Sequence, residues 1–247
     1  MPAILWRKQT NAPNKFMGSG MMPPGAYVTL EHEYILILRK GNKKEFRSKD
    51  EKQQRRESSF FWEERNDWFS DVWTDLKGTS QNLFDNKVGG RSAAYPFELP
   101  YRLITMFSVK EDRILDPFFG IGTTMYAAMA AGRSSIGYEI DRNFHDAIVS
   151  RIAGIVKFGN RRIIERLNNH CNFIEKQFEK KREFKYINKN YQFPVITNQE
   201  TALLINELLS VRQTGTINFE VRYSDEPQKD FVLNWNRFVM SDSEKRK

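Results

Sequence analysis

The chain has 247 residues and carries 39 Lys and Arg against 31 Asp and Glu, a net charge of +8. That length suffices for one large domain or two small ones with a sizeable core, and the charge favours a polyanionic partner, because cations near phosphates release condensed counterions. A single cysteine, Cys171, excludes an internal disulfide and suits a reducing, cytoplasmic setting.

Met1 to Lys8 has no long apolar core, so no signal peptide is expected, and no apolar run further along can span a bilayer. Residues 27–40 are rich in β-branched and aromatic types and predict a strand or hairpin. Tyr34 to Leu38 is nearly all apolar, as in a strand buried on both faces, and Gly41 ends it. Residues 42–58 are charged and Gln-rich, which predicts an exposed, mobile loop. In 59–76, Phe60, Phe61, Trp62, Trp68, Phe69, Val72 and Trp73 alternate with charged residues. Such aromatics stack on bases or form a small core, and packing is the favoured reading for any one tryptophan. Residues 86–92 read as a linker.

A helix is expected from Pro96 to Ser108, with Leu99, Leu103 and Phe107 on one face. A strand at Arg113 to Leu115, a glycine turn, a helix at Thr123 to Ala131 and a strand at Ser135 to Tyr138 follow, then a helix from Arg142. That β-α-β order predicts a parallel, doubly wound sheet. Beyond residue 160 the pattern predicts a charged helix (Arg161 to Lys181), a helix at Gln199 to Leu209, a strand at Ile217 to Tyr223 and a frayed end. His32, His145, His170 and Cys171 are too scattered for a metal site.

The informative run is Ile114-Leu115-Asp116-Pro117-Phe118-Phe119-Gly120-Ile121-Gly122-Thr123-Thr124. A strand ends at Asp116, two glycines let the backbone turn close to a ligand, and a helix then points its N-terminal amides at the crevice. Further on, Glu139 stands at the tip of the next strand, where an acid can accept hydrogen bonds from a ribose diol. A nicotinamide fingerprint would need a small residue where Met125 stands. The pattern therefore indicates a different nucleoside-containing cofactor.

Asp116 to Thr124 resembles motif I of the prokaryotic β-class DNA amino-methyltransferases, Asp-Pro-Phe-x-Gly-x-Gly-Thr-Thr. Arg91 to Ile104 resembles their motif X, and Gly137-Tyr138-Glu139-Ile140-Asp141 their motif II. Trp6 to Lys8 and His32 to Lys40 look like the strand segments after the catalytic motif, so the resemblance covers residues 4–150. It implies S-adenosylmethionine as cofactor and duplex DNA as partner. Asp116, Phe118, Gly120 and Gly122, with Thr123 opening the helix, would line the methionine and adenine. Glu139 would hold the ribose hydroxyls. Pro96 and Phe97 would wall the methionine end. Residues 42–90 occupy the place of the target-recognition region.

The family's catalytic tetrapeptide, Asp, Asn or Ser followed by Pro-Pro-Tyr or Phe, has no match. Met22-Pro23-Pro24-Gly25 reads as a loop, so no catalytic residue is assigned. The expected fold is an α/β Rossmann-like methyltransferase sheet, incomplete at the N-terminus, with an inserted recognition region and a mainly helical C-terminal extension. Its parts are 1–41 (strands of the catalytic subdomain), 42–90 (recognition), 91–160 (cofactor) and 161–247 (extension). The expected activity is methylation of an exocyclic amine in DNA, cytosine-N4 ahead of adenine-N6, in restriction–modification and in a prokaryotic cytoplasm. The first alternative is a non-catalytic cofactor- and DNA-binding subunit or remnant of a split enzyme, completed by a second polypeptide bearing Pro-Pro-Tyr. A small-molecule methyltransferase is disfavoured by the aromatic and basic 42–90 stretch, and cytosine-C5 chemistry by the absence of Pro-Cys. No membrane or metal is expected.

Overall fold

A computed structural model describes residues 3–8, 31–77, 95–181 and 183–231. The linker expected at 86–92, the Pro-Pro loop and the last residues lie outside them. Strand β1 (Ile4–Arg7) is the centre of a three-stranded sheet and pairs antiparallel with β2 (His32–Ile35), Ile4 facing Ile35. Within 31–40 only His32–Ile35 is strand, and Tyr34, Leu36 and Leu38 are exposed while Ile35 and Ile37 pack inward. Among the described residues β2 is an edge strand with one covered face, so apolar content overstated its burial.

Helix α1 (Lys49–Glu57) replaces the loop expected over 42–58. Its signal was a capping box. Ser48 Oγ accepts from the Glu51 amide at 3.0 Å, and Glu51 Oε2 accepts from the Ser48 amide at 3.0 Å. Helix α2 (Trp62–Trp68) and strand β3 (Val72–Trp73) follow, and β3 pairs parallel with β1, Trp6 beside Trp73. Phe61, Trp68 and Trp73 are buried, which resolves these aromatics as core. The Trp6 indole donates to the Leu76 carbonyl at 2.8 Å, and the Trp73 indole to that of Trp68 at 3.1 Å.

Helix α3 (Glu98–Phe107) buries Leu99, Tyr101 and Ile104, while Phe107 is half exposed rather than on the covered face. Strand β4 (Arg113–Asp116), helix α4 (Thr123–Ala130) and strand β5 (Ser134–Gly137) form the expected parallel unit, with Leu115 beside Ile136 and Asp116 beside Gly137. Every residue of α4 is buried, and its alanines admit neighbours closely on all sides. Asp141 caps a 3-10 turn by accepting from the Asn143 amide at 3.0 Å, and α5 (His145–Ile152) follows.

Helix α6 (Ile155–Glu179) runs 25 residues and is the last α-helix among the described residues. Short strands β6 (Tyr186–Ile187) and β7 (Pro194–Val195) pair antiparallel. The helix expected at Gln199 to Leu209 is instead a 3-10 turn, Asn198–Ala202, and then β8 (Asn206–Gln213), paired with β9 (Phe219–Pro227). Among the described residues beyond Glu179 the regular structure is therefore strand, apart from that 3-10 turn. Leu208 packs into a niche over Gly159 of α6 while Leu209 is exposed, and the strand's register shifts on either side of Leu208.

Two cores result. Ile4, Trp6, Trp73 and Leu76 pack on Leu99 and Leu103 of α3. The larger core joins α2, α3, α4, α6 and the strands beyond them. Within it Arg166 of α6 is buried. It donates to both Glu64 carboxylate oxygens, at 2.6 and 2.7 Å, and to the Tyr101 hydroxyl at 3.0 Å. Fully buried His170 stacks on Phe61 at 4.1 Å and places its ring nitrogens 2.8 Å from Glu63 Oε1 and 3.0 Å from the Pro194 carbonyl. Glu64→Ala should destabilise the fold by roughly 3–5 kcal/mol, because it strands a buried guanidinium. Urea unfolding followed by tryptophan fluorescence measures this, and a loss below about 1 kcal/mol would contradict it.

Candidate cofactor site

The site lies where β4 and β5 end. Asp116 Oδ1 accepts from the Phe118 amide at 3.0 Å, which starts the turn. The Phe119 amide donates to the Tyr138 carbonyl at 2.9 Å and the Tyr138 amide to that of Asp116 at 3.0 Å, so the two chains stay paired past the strands. Gly120 and Gly122 both adopt left-handed backbone, with φ of 52° and 75°. A Cβ at Gly120 would meet nothing within 4 Å, so the turn faces open space, while one at Gly122 would press on the Phe119 ring at 3.2 Å.

Glu139 crosses the crevice. Its Oε2 accepts from the Gly120 amide at 2.7 Å and its Oε1 from the Asp141 amide at 2.9 Å. Two amides thus set the carboxylate's orientation, and each oxygen keeps acceptor capacity for a further donor. A vicinal diol supplies two such donors. Phe118 is 87% exposed at the rim. Thr123 opens α4 with its amide towards the turn, but its Oγ1 is occupied, accepting from Arg151 at 3.1 Å.

The fold therefore brings Asp116, Phe118, Gly120, Gly122, Thr123 and Glu139 together. Pro96 and Phe97 stand at the entry to α3. The Phe97 ring stacks on Tyr101 at 5.2 Å and meets Phe158 edge-on at 4.7 Å, contacts that set the α3–α6 packing. Three residues escaped the sequence reading. Tyr95 places its hydroxyl 3.2 Å from Asp116 Oδ2 and 2.7 Å from Thr124 Oγ1, and desolvation raises its pKa. Phe119 lies flat against Gly137, where a Cβ would come within 1.8 Å of the ring. Arg151 holds Thr123. Of these three contacts only that of Phe119 left a readable signal, because its partner Gly137 is a glycine within a strand.

Other features stand apart. A groove of about 940 Å³ between β5 and β9 is lined by Arg113, Ser135, Ile136, Phe219 and Tyr223, and includes none of Asp116, Gly120 or Glu139. Cys171 is buried, and burial pushes its thiol up to about 12, which leaves almost no thiolate for nucleophilic attack. Among the described residues no three His, Cys, Asp or Glu group to hold a metal, and no helix is long and apolar enough to cross a membrane.

The glycine turn between parallel strands, with an acid fixed opposite it, is a Rossmann-like crevice at the strand ends. Residues 2–150 match the DNA methylase family, and the chain belongs to it. It is 51% identical over 231 residues to the Type II methyltransferase M.MthZI of Methanothermobacter thermautotrophicus, covering 93% of this chain and 64% of that one. It is 49% identical over 152 residues to M.MjaI of Methanocaldococcus jannaschii, covering 62% and 48%. A DNA modification methylase of Thermus thermophilus, solved with S-adenosyl-L-methionine, is 31% identical with a TM-score of 0.48, covering 63% of this chain and 54% of that one. The chain thus spans less than two thirds of the length of each of these proteins.

Gly137→Ala should evict the Phe119 ring and cost roughly 1–3 kcal/mol of stability. In a Phe119→Ala background the collision is gone and the same substitution should cost almost nothing. Thermal denaturation of the four proteins closes this cycle, and equal costs in both backgrounds would refute the contact.

Proposed function

We propose that this chain is the cofactor-binding and DNA-reading portion of an S-adenosylmethionine-dependent DNA amino-methyltransferase of restriction–modification type, acting in a prokaryotic cytoplasm. The observation that carries this is the Glu139 carboxylate, pre-aimed by the amides of Gly120 and Asp141 across an open glycine turn. The residues present fit the cofactor. Glu139 would accept from both ribose hydroxyls. The rim ring of Phe118 would cover the adenine. Asp116, whose carboxylate is held by the Phe118 amide and the Tyr95 hydroxyl, would face the methionine ammonium. The Gly122 turn and the start of α4 would approach the methionine carboxylate, which suits the positive end of a helix. Pro96 and Phe97 would close the methionine end.

When bound, the cofactor supplies a methyl group activated by a sulfonium. The acceptor under this reading is an exocyclic base amine, cytosine-N4 ahead of adenine-N6, whose lone pair is delocalised and needs positioning rather than covalent activation. No Pro-Pro-Tyr or Pro-Pro-Phe occurs in the sequence. A second reading has the tetrapeptide supplied from outside this sequence. In it the chain binds cofactor and DNA, and a separate polypeptide bearing the tetrapeptide completes the reaction.

Equilibrium dialysis with labelled S-adenosylmethionine should show binding by the wild-type chain, with Asp116→Ala and Gly120→Val reducing it to background. Valine at Gly120 fails through its backbone conformation and not through crowding, since the space around it is open. Wild-type affinity in both variants would overturn the site. Nucleoside mass analysis of treated DNA, with and without the Pro-Pro-Tyr polypeptide, identifies the methylated base and decides between the two readings.

A further inference from the structure

We propose that α1 is a DNA-docking helix, with Lys49, Lys52 and Arg56 as its phosphate-facing edge. This rests on the DNA-reading function above. Stepping 100° per residue, Lys52, Arg56, Lys49 and Gln53 fall in order along one stripe, and all four are exposed. Lys49, Lys52 and Arg56 have no carboxylate within ion-pair distance among the described residues, unlike Lys44, which pairs with Asp112 at 2.6 Å. No residue of α1 is buried, so hydrophobic burial does not explain the helix.

The other side of α1 is tied down. Gln54 donates to Glu111 at 3.1 Å, and Glu57 accepts from the Lys110 ammonium at 3.4 Å. The Leu204 amide donates to the Glu57 carbonyl at 3.2 Å, and Ser58 Oγ accepts from the Lys110 amide at 2.9 Å. The capping box at Ser48 and Glu51 orders the first turn. These bonds fix α1 to the segment that leads into the N-terminal end of β4. The helix is rigid, anchored on its acidic and amide side, and basic on its free side.

Charge complementarity selects the occupant. From Lys49 to Arg56 the axis rises about 10 Å, and over that distance a duplex presents about six phosphate charges. Three unpaired cations on a short helix match such a row, and Gln53 at the end of the stripe donates one amide hydrogen to Glu57 at 2.9 Å and keeps the other for a base edge or sugar.

The test is fluorescence anisotropy with a labelled duplex of roughly 30 base pairs, from about 50 to 200 mM salt, using the full chain. The triple variant Lys49→Gln, Lys52→Gln, Arg56→Gln should bind roughly tenfold or more weakly at the low-salt end, and its log–log salt slope should fall by about 2–3. A charge-matched control, Lys176→Gln, Lys180→Gln, Lys181→Gln at the far end of α6, should keep the wild-type slope. Both variants should retain S-adenosylmethionine binding and the wild-type melting temperature. An unchanged slope in the α1 triple, or an equal drop in the control, overturns the inference while leaving the cofactor reading intact. Equal or tighter binding of an RNA duplex of the same sequence overturns the choice of DNA as occupant. Failure of the wild-type chain to bind DNA removes the DNA reading itself, and α1 docking with it.

Discussion

A guanidinium at the centre of the larger core governs the arrangement around it. Arg166 sits on α6 without access to water, so its charge must be answered from neighbouring elements. Glu64 answers it from α2 and the Tyr101 hydroxyl from α3. Three helices distant in sequence are thereby held in one register. Because Glu64 must face inward, Phe61 and Trp68 follow it into the core, and the aromatic segment becomes structural.

The candidate cofactor site is built from backbone more than from side chains. Two amides orient Glu139, the two glycines supply the bend, and paired carbonyls hold the strand ends level. Side chains enter mainly as packing. Phe119 fills the space that Gly137 leaves empty, and Tyr95 reaches from the smaller core to brace Asp116 and Thr124. Tyr95 thus joins the sheet of β1 to the turn after β4 through a single hydroxyl.

Much of this was legible in the residues. The β4–α4–β5 unit, the turn, Glu139 and the Asp141 cap all carry local signals, since glycine spacing, an acid at a strand tip and an Asp before a short turn each act over a few positions. Where the outcome depended on distant partners, the reading failed. Leu203 to Leu209 contains apolar residues at helical spacing, but Leu208 is claimed by the niche over Gly159 and the segment becomes strand. Tyr34 to Leu38 looked fully buried because composition does not say which strands are at an edge. Residues 42–58 looked mobile because their charge outweighed a capping box that was present in the letters. The bracing role of Tyr95 leaves no trace in sequence, since it depends on where two strands end in space.

Helix α4 has no solvent face, so nearly any enlargement along it would meet a neighbour. The mount beneath the turn is therefore closed to gradual change, whereas the ring of Phe118 projects into open space and touches little. Variation among descendants of this chain should collect at that lip, where a different ring or an aliphatic chain could be exchanged without disturbing the frame. The same division lets affinity drift while the geometry of the crevice is inherited intact.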